Sequence, residues 1–135
     1  MKGLKIERVR SLEQQLRWRA EVLKEVFGIT ADAALLKACA KYYDYHSADG
    51  SHIALEAQLP AADGETSVAV GCGGICFYEE LPSEANPTGR CAVIVNVYVR
   101  EPYRHSGIGR DITRALEDLA KFRGCGRITY ENKPD

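Results

Sequence analysis

Along this chain, stretches that alternate apolar and polar residues are separated by stretches with helical spacing. From Leu4 to Val9, Leu4 and Ile6 alternate with charged residues and Val9 falls off that register, which predicts a first strand. Ser11 and Gln14 then form a Ser-x-x-Gln capping-box pattern. Behind it Leu12, Leu16, Ala20, Leu23 and Phe27 mark one apolar helical face, ended by Gly28. A second helix is expected from near Thr30–Asp32 to about His46, carrying Leu35, Leu36, Cys39 and Tyr42. His52 to Leu59 alternates cleanly, with Ile53, Leu55, Ala57 and Leu59 on one side and Ala54, Glu56 and Gln58 on the other. That is the pattern of a half-buried strand. Asp63-Gly64 signals a hairpin turn leading into an antiparallel strand, Val68 to Tyr78. Within it Gly71, Gly73 and Gly74 suggest a bulge or a close backbone approach.

Pro82, Pro87 and Gly89 make Glu79 to Arg90 a loop. A β-branched run, Ala92 to Val99, then leads through Arg100–Tyr103 and a glycine turn, Arg104–Arg110, into an apolar-periodic helix. Ile108, Ile112, Ala115, Leu116 and Leu119 share that helix's buried face. Gly124 and Gly126 bracket its end, and Arg127 to Glu131 makes a last short strand. The order is β-α-α-β-β-β-α-β, an α/β protein of the α+β type. Its final β-α-β implies a parallel pair with a right-handed crossover, beside an antiparallel meander.

Composition narrows the function classes. A chain of 135 residues is expected to be one domain, 1–135, with a core of its own. With 18 basic and 19 acidic side chains it has no electrostatic footprint for nucleic acid. No apolar run is long enough for a membrane span, and the start has no signal-peptide core, so the expected location is cytoplasmic. The five cysteines sit among apolar or small neighbours and read as buried thiols in a reducing compartment. No histidine follows Cys72 and Cys76 at ligand distance, so no metal site is expected.

The glycine turn carries most of the chemistry. A strand that feeds a glycine turn opening a helix aims backbone N–H groups at phosphate. The Walker pattern is not present, and a dinucleotide fingerprint fails because Ile112 stands where a third glycine is needed. What fits is Arg-x-x-Gly-x-Gly, met by Arg104, Gly107 and Gly109, after Pro102-Tyr103 and a hydrophobic strand.

That constellation, VNVYVREPYRHSGIGRDITRALEDLAKFRG at 95–124, resembles the GNAT superfamily of N-acetyltransferases. The element order and Gly73-Gly74-Ile75-Cys76-Phe77-Tyr78 are similar to that family as well. The resemblance implies a mixed, mostly antiparallel twisted sheet with helices on both faces. It also implies acetyl-coenzyme A as cosubstrate. Its pyrophosphate would be held by the amides of Arg104, His105, Ser106, Gly107, Ile108, Gly109 and Arg110. Its pantetheine arm would lie between splayed fourth and fifth strands, bonded to Val97, Tyr98 and Val99 as in strand addition. An amide of the same stretch would polarise the thioester carbonyl.

For acid and base, Glu79 and Glu80 lie just past the third strand, and Asn96 could orient a water. His46 and His52 are candidates near the acceptor, and Tyr42, Tyr43 and Tyr45 lie where the family often shapes its acceptor pocket; of these Tyr42 reads as core and Tyr45 as the better pocket candidate. The family usually continues past the fifth strand with a helix whose tyrosine protonates the thiolate. Here the sequence ends at Tyr130–Asp135, so that phenol has no position and Tyr130 is only a weak substitute. A fifth strand left as an open edge leads to the expectation of a homodimer. The expected function is acetyl transfer to a small-molecule amine by direct attack. The rival is a non-catalytic, truncated relative that binds coenzyme A or a protein partner.

Overall fold

In the computed structural model, which describes residues 2–132, every expected element forms. The strands are β1 (Lys5–Val9), β2 (His52–Pro60), β3 (Ser67–Glu79), β4 (Arg90–Val99) and β5 (Arg127–Tyr130). The helices are α1 (Leu12–Phe27), α2 (Ala33–Asp49) and α3 (Ile108–Phe122), and a 3-10 turn, Glu101–Tyr103, follows β4. The strands lie side by side in chain order. The pairs from β1 to β4 are antiparallel, and β5 runs parallel to β4.

Local chemistry sets the boundaries. Ser11 Oγ accepts from Gln14 N at 3.2 Å to start α1, and Gly28, at φ 69°, ends it. The capping box is only half made, because the Gln14 amide donates to Glu56 instead of returning to Ser11. Asp32 Oδ1 caps α2 through Leu35 N at 2.8 Å. That helix runs to Asp49, beyond the expected end at His46, because the first left-handed residue is Gly50. In the β2–β3 hairpin, Asp63 Oδ1 accepts from the N–H groups of Glu65 and Thr66, each at 2.9 Å.

The two faces of the sheet are covered differently. Ile108, Ile112, Leu116 and Ala120 of α3 pack on Ile53, Leu55, Val70, Ile75 and Ile94. On the other face Trp18 and Val22 of α1 pack against Cys72 and Tyr98. The glycines of β3 let α3 lie close: a Cβ on Gly73 would stand 2.6 Å from Ile112 Cγ2 and 2.9 Å from Leu116 Cδ1.

Two expectations are corrected here. The buried face of α1 is Gln15, Trp18, Val22 and Leu23, while Leu12 and Phe27 are exposed. The continuous aliphatic stripe misled because tryptophan supplies the largest apolar area and sets which side of the helix turns inward. Likewise β2 is covered on both faces. Glu56, only 4% exposed, accepts from Trp18 Nε1 at 2.7 Å, Gln14 Nε2 at 2.5 Å and Gln58 Nε2 at 2.7 Å. A carboxylate so satisfied is buried without being left unpaired.

Candidate functional site

The site begins where two strands part. β5 pairs with β4 only from Cys91 to Ile94. Just beyond, the β3–β4 register shifts and Asn96 takes φ 58°, a bulge that bends β4 away. Past it, Val97 and Val99 turn their backbone groups to the open side. The Val97 carbonyl accepts from Asn132 Nδ2 at 2.9 Å, and the Val99 carbonyl from Arg104 Nε at 2.8 Å. Tyr98 does not share this role. Its backbone faces Cys72 of β3, as strand alternation requires, and its side chain lines the cleft instead.

The glycine turn closes one end of this gap. His105 at φ 63° and Gly107 at φ 89° reverse the chain, and Ser106 Oγ donates to the Tyr103 carbonyl at 2.6 Å. α3 starts at Ile108, so its first N–H groups have no intrahelical partner and point out of the helix end. Turn and strand together enclose a cleft of about 280 Å³. Val97, Tyr98, Val99, Arg104, His105, Gly107, Ile108 and Gly109 all line it. Ser106 and Arg110 do not: the serine hydroxyl is turned inward, and Arg110 is exposed beside Gly107. The opposite wall is Glu25 and Val26 of α1.

A second cleft, about 330 Å³, adjoins the bulge from the side of α1 and α2. Asn96 is its hub. Arg19 Nη1 donates to Asn96 Oδ1 at 2.5 Å, and Asn96 Nδ2 donates to the Tyr43 hydroxyl oxygen at 3.2 Å. Arg19 also grips Glu131 with both nitrogens at 3.1 Å, and Glu131 Oε1 accepts from the Asn96 backbone N–H at 3.2 Å. Burial pushes the Tyr43 phenol up to about 12, so it keeps its proton, and the Asn96 bond to its oxygen leaves that O–H free to donate.

On the far wall the Tyr42 hydroxyl lies 3.0 Å from His52 Nδ1 and 2.9 Å from Cys76 Sγ. Burial raises both the phenol and the thiol above their ordinary values. His52, 2% exposed, is lowered to about 4, chiefly by burial and then by His46. This has a consequence for stability. Between pH 6.5 and about 4 the unfolded chain binds a proton on His52 that the folded one refuses, so stability falls as pH drops through that window. Denaturant unfolding at pH 7 and pH 4 should differ by roughly 2–3 kcal/mol from this group. His52→Gln should remove that part of the slope.

The remaining candidates fall elsewhere. Glu79, exposed at the end of β3, lines neither cleft and faces a groove with Arg90 and Phe122. The structure therefore does not support it as the base, and Glu131 is the carboxylate at the bulge. Glu80 pairs with Arg127 at 2.9 Å. Neither Tyr42 nor Tyr45 takes its expected place: Tyr42 lines the second cleft, and Tyr45 is 67% exposed on the outer side of α2. His46 bonds Ser51 Oγ at 2.6 Å. Tyr130 donates to Glu117 of α3, away from both clefts. Tyr43, one of the three tyrosines placed near the acceptor, lines the second cleft, whereas Arg19, Glu131 and Asn132 reach the clefts with no motif in the sequence to mark them.

With this geometry, comparison with known families gives one match: the acetyltransferase (GNAT) family, over residues 15–134. The chain belongs to that family. A search of curated proteins finds no significant match. Among solved structures it is similar to a predicted acetyltransferase from Clostridium acetobutylicum with acetyl-CoA. That match has TM-score 0.81 and 20% identity, covering 96% of this chain and 81% of that one. A GCN5-related N-acetyltransferase from Ralstonia eutropha gives 0.72 and 22%, covering 97% and 84%. An aminoglycoside acetyltransferase from an uncultured soil sample, in complex with sisomicin, gives 0.67 and 17%, covering 97% and 78%.

Proposed function

We propose that the chain transfers the acetyl group of acetyl-coenzyme A to the amine of a small molecule by direct attack. The observation that carries this is the meeting of two clefts at the Asn96 bulge. One has the diphosphate chemistry of the glycine turn, the other is closed by side chains suited to proton transfer. The residues fit the cosubstrate. The helix-end N–H groups at Ile108 and Gly109 open beside the glycine turn, and among the described residues no strand pairs with Val97 and Val99 on the gap side. Among the described residues their carbonyls are met by the side chains of Asn132 and Arg104, which pantetheine amides replace with bonds of the same kind. The structural neighbour from Clostridium, which holds acetyl-CoA, supports the same reading.

Acetyl-coenzyme A, when bound, supplies the thioester. The chain's residues do the rest. Glu131 takes the proton of the attacking amine, and Arg19 holds that carboxylate at the bulge. Asn96 turns the strand and fixes the Tyr43 oxygen, so that the Tyr43 O–H is the proton available to the leaving sulfur. Val97 N–H, on the open side of the bulge, is placed to stabilise negative charge on the carbonyl oxygen.

Thiol release from acetyl-coenzyme A across an amine panel tests this reading. Glu131→Gln should lower kcat by roughly 10²-fold, and an unchanged kcat would remove Glu131 from this role. Acetyl-coenzyme A bound with no transfer to any amine would favour the non-catalytic reading. The homodimer remains part of the proposal, supported by the edge position of β5 in the sheet and by Phe122, 90% exposed at the end of α3. Light scattering at micromolar concentration should give twice the chain mass, and monomer alone would contradict the dimer.

A further inference from the structure

The second cleft has a chemical character that selects among amines. Its far wall is a cluster of rings: Tyr42 and Tyr43 have centroids 5.5 Å apart, and His52 lies 5.4 Å and 5.1 Å from them. These rings meet edge to face, with Tyr43 and His52 buried at 5% and 2% exposure, so the half-buried Tyr42 gives this wall its accessible ring surface. The Tyr42 hydroxyl is already engaged with His52 and Cys76, so this wall offers its ring more than its oxygen. Val95, Cys39 and Ala38 add apolar surface.

Charge points the same way. Among the described residues lining the cleft Glu131 is the one carboxylate, and both of its oxygens are held by Arg19. Acidic side chains that would suit a polycation lie elsewhere. Asp44 and Asp49 line an open groove on the outer side of α2, and Asp49 is occupied with Ser51. Asp63 caps the β2–β3 turn, and Glu80 pairs with Arg127. A polycation seated here would leave most of its ammonium groups facing rings and thiols, with their desolvation unmatched.

We propose that the acceptor is a small monoamine on a flat aromatic or short apolar body, seated in the ring-walled cleft between α2 and the Asn96 bulge. This rests on the acetyl-transfer reading above. The body lies against Tyr42, with Tyr43 packed behind it, and the single amine points to the bulge, where Glu131 receives its proton.

The test compares phenylethylamine and tryptamine with spermidine and kanamycin in a thiol-release assay on the full chain. In parallel, calorimetry follows acetyl-coenzyme A, and saturation-transfer NMR follows each amine. The monoamines should exceed the polycations in kcat/KM by about tenfold or more. Ala38→Trp, which builds a ring into the cleft from an exposed position on α2, should raise the monoamine KM and abolish its saturation transfer. Asp44→Asn, outside the cleft, should leave the preference unchanged. Equal or better use of the polycations, or a preference that Asp44→Asn abolishes, overturns the proposal. So does acetyl-coenzyme A binding with no monoamine turnover or saturation transfer, an outcome that leaves the cofactor reading standing. If acetyl-coenzyme A does not bind, the transfer reading fails. The NMR signal then decides the cleft: saturation transfer to the monoamine that Ala38→Trp abolishes supports it, and no saturation transfer overturns it.

Discussion

Gly107→Val weakens acetyl-coenzyme A binding by about tenfold or more and leaves the chain folded, because the strain falls on the turn and not on the core. Gly107 sits at φ 89° immediately before α3, and its neighbour His105 already occupies a left-handed conformation. A β-branched residue there costs about 1–2 kcal/mol or more, which the turn relieves by rotating toward φ below zero. That rotation redirects the first N–H groups of α3, and a helix N-terminus holds a diphosphate through the direction of those donors. The space around Gly107 is otherwise open, with only Arg110 Nη2 at 4.0 Å from a Cβ, so the effect does not come from a clash. Calorimetry measures the affinity, and the far-ultraviolet circular dichroism should match the parent chain. An unchanged affinity would mean that the turn does not hold the diphosphate.

The second large effect is on stability. Gly73→Val inserts a branched side chain where even a Cβ meets Ile112 and Leu116 at 2.6 and 2.9 Å. Both neighbours are fully buried core residues of α3 packed on the same sheet face, so neither has an exposed direction in which to move. Overpacking of this kind costs about 1–3 kcal/mol per site, and a valine belongs at or above the upper end. Thermal unfolding should fall by roughly 5–15 °C, or the chain should fail to fold. Gly73→Ala should show a smaller shift in the same direction. A Tm within about 2 °C of the parent for both variants would show that α3 does not lie against β3 as described.

Elements with strong periodicity or capping chemistry were legible from residues alone. α3 is the clearest: its apolar stripe and its glycine start both survive in the structure, since one helix packed on one sheet face needs little else. The β2–β3 hairpin follows from Asp63-Gly64 for the same local reason. The face of α1 was not legible, because Trp18 and Glu56 settle it together from opposite elements, at positions 38 residues apart. The bulge is a similar case. Nothing in Val95-Asn96-Val97 announces a left-handed residue inside a β-branched run. Yet Asn96 tolerates that conformation and then becomes the hub for Arg19, Tyr43 and Glu131.

The cleft at the glycine turn was readable because it is built from backbone geometry, and glycines advertise that geometry. The second cleft was not, since it is assembled from α1, α2, β4 and the segment after β5. The carboxylate expected from sequence, Glu79, sits at the wrong end of β3, whereas Glu131 reaches the bulge because β5 runs parallel to β4. Tyr43, one residue beyond the expected core residue Tyr42, turns out to be the buried phenol at Asn96. A difference of one position on a helix is about 100° of rotation, enough to exchange which ring is buried and which lines a wall.

The account stands or falls most directly on acetyl transfer itself. Incubating the chain with acetyl-coenzyme A and a panel of primary amines, and following free thiol together with product mass, measures it in one experiment. The prediction is thiol release matched by an equal amount of singly acetylated amine for at least one acceptor. Release no faster than the uncatalysed hydrolysis with every amine, and no acetylated product, would contradict it.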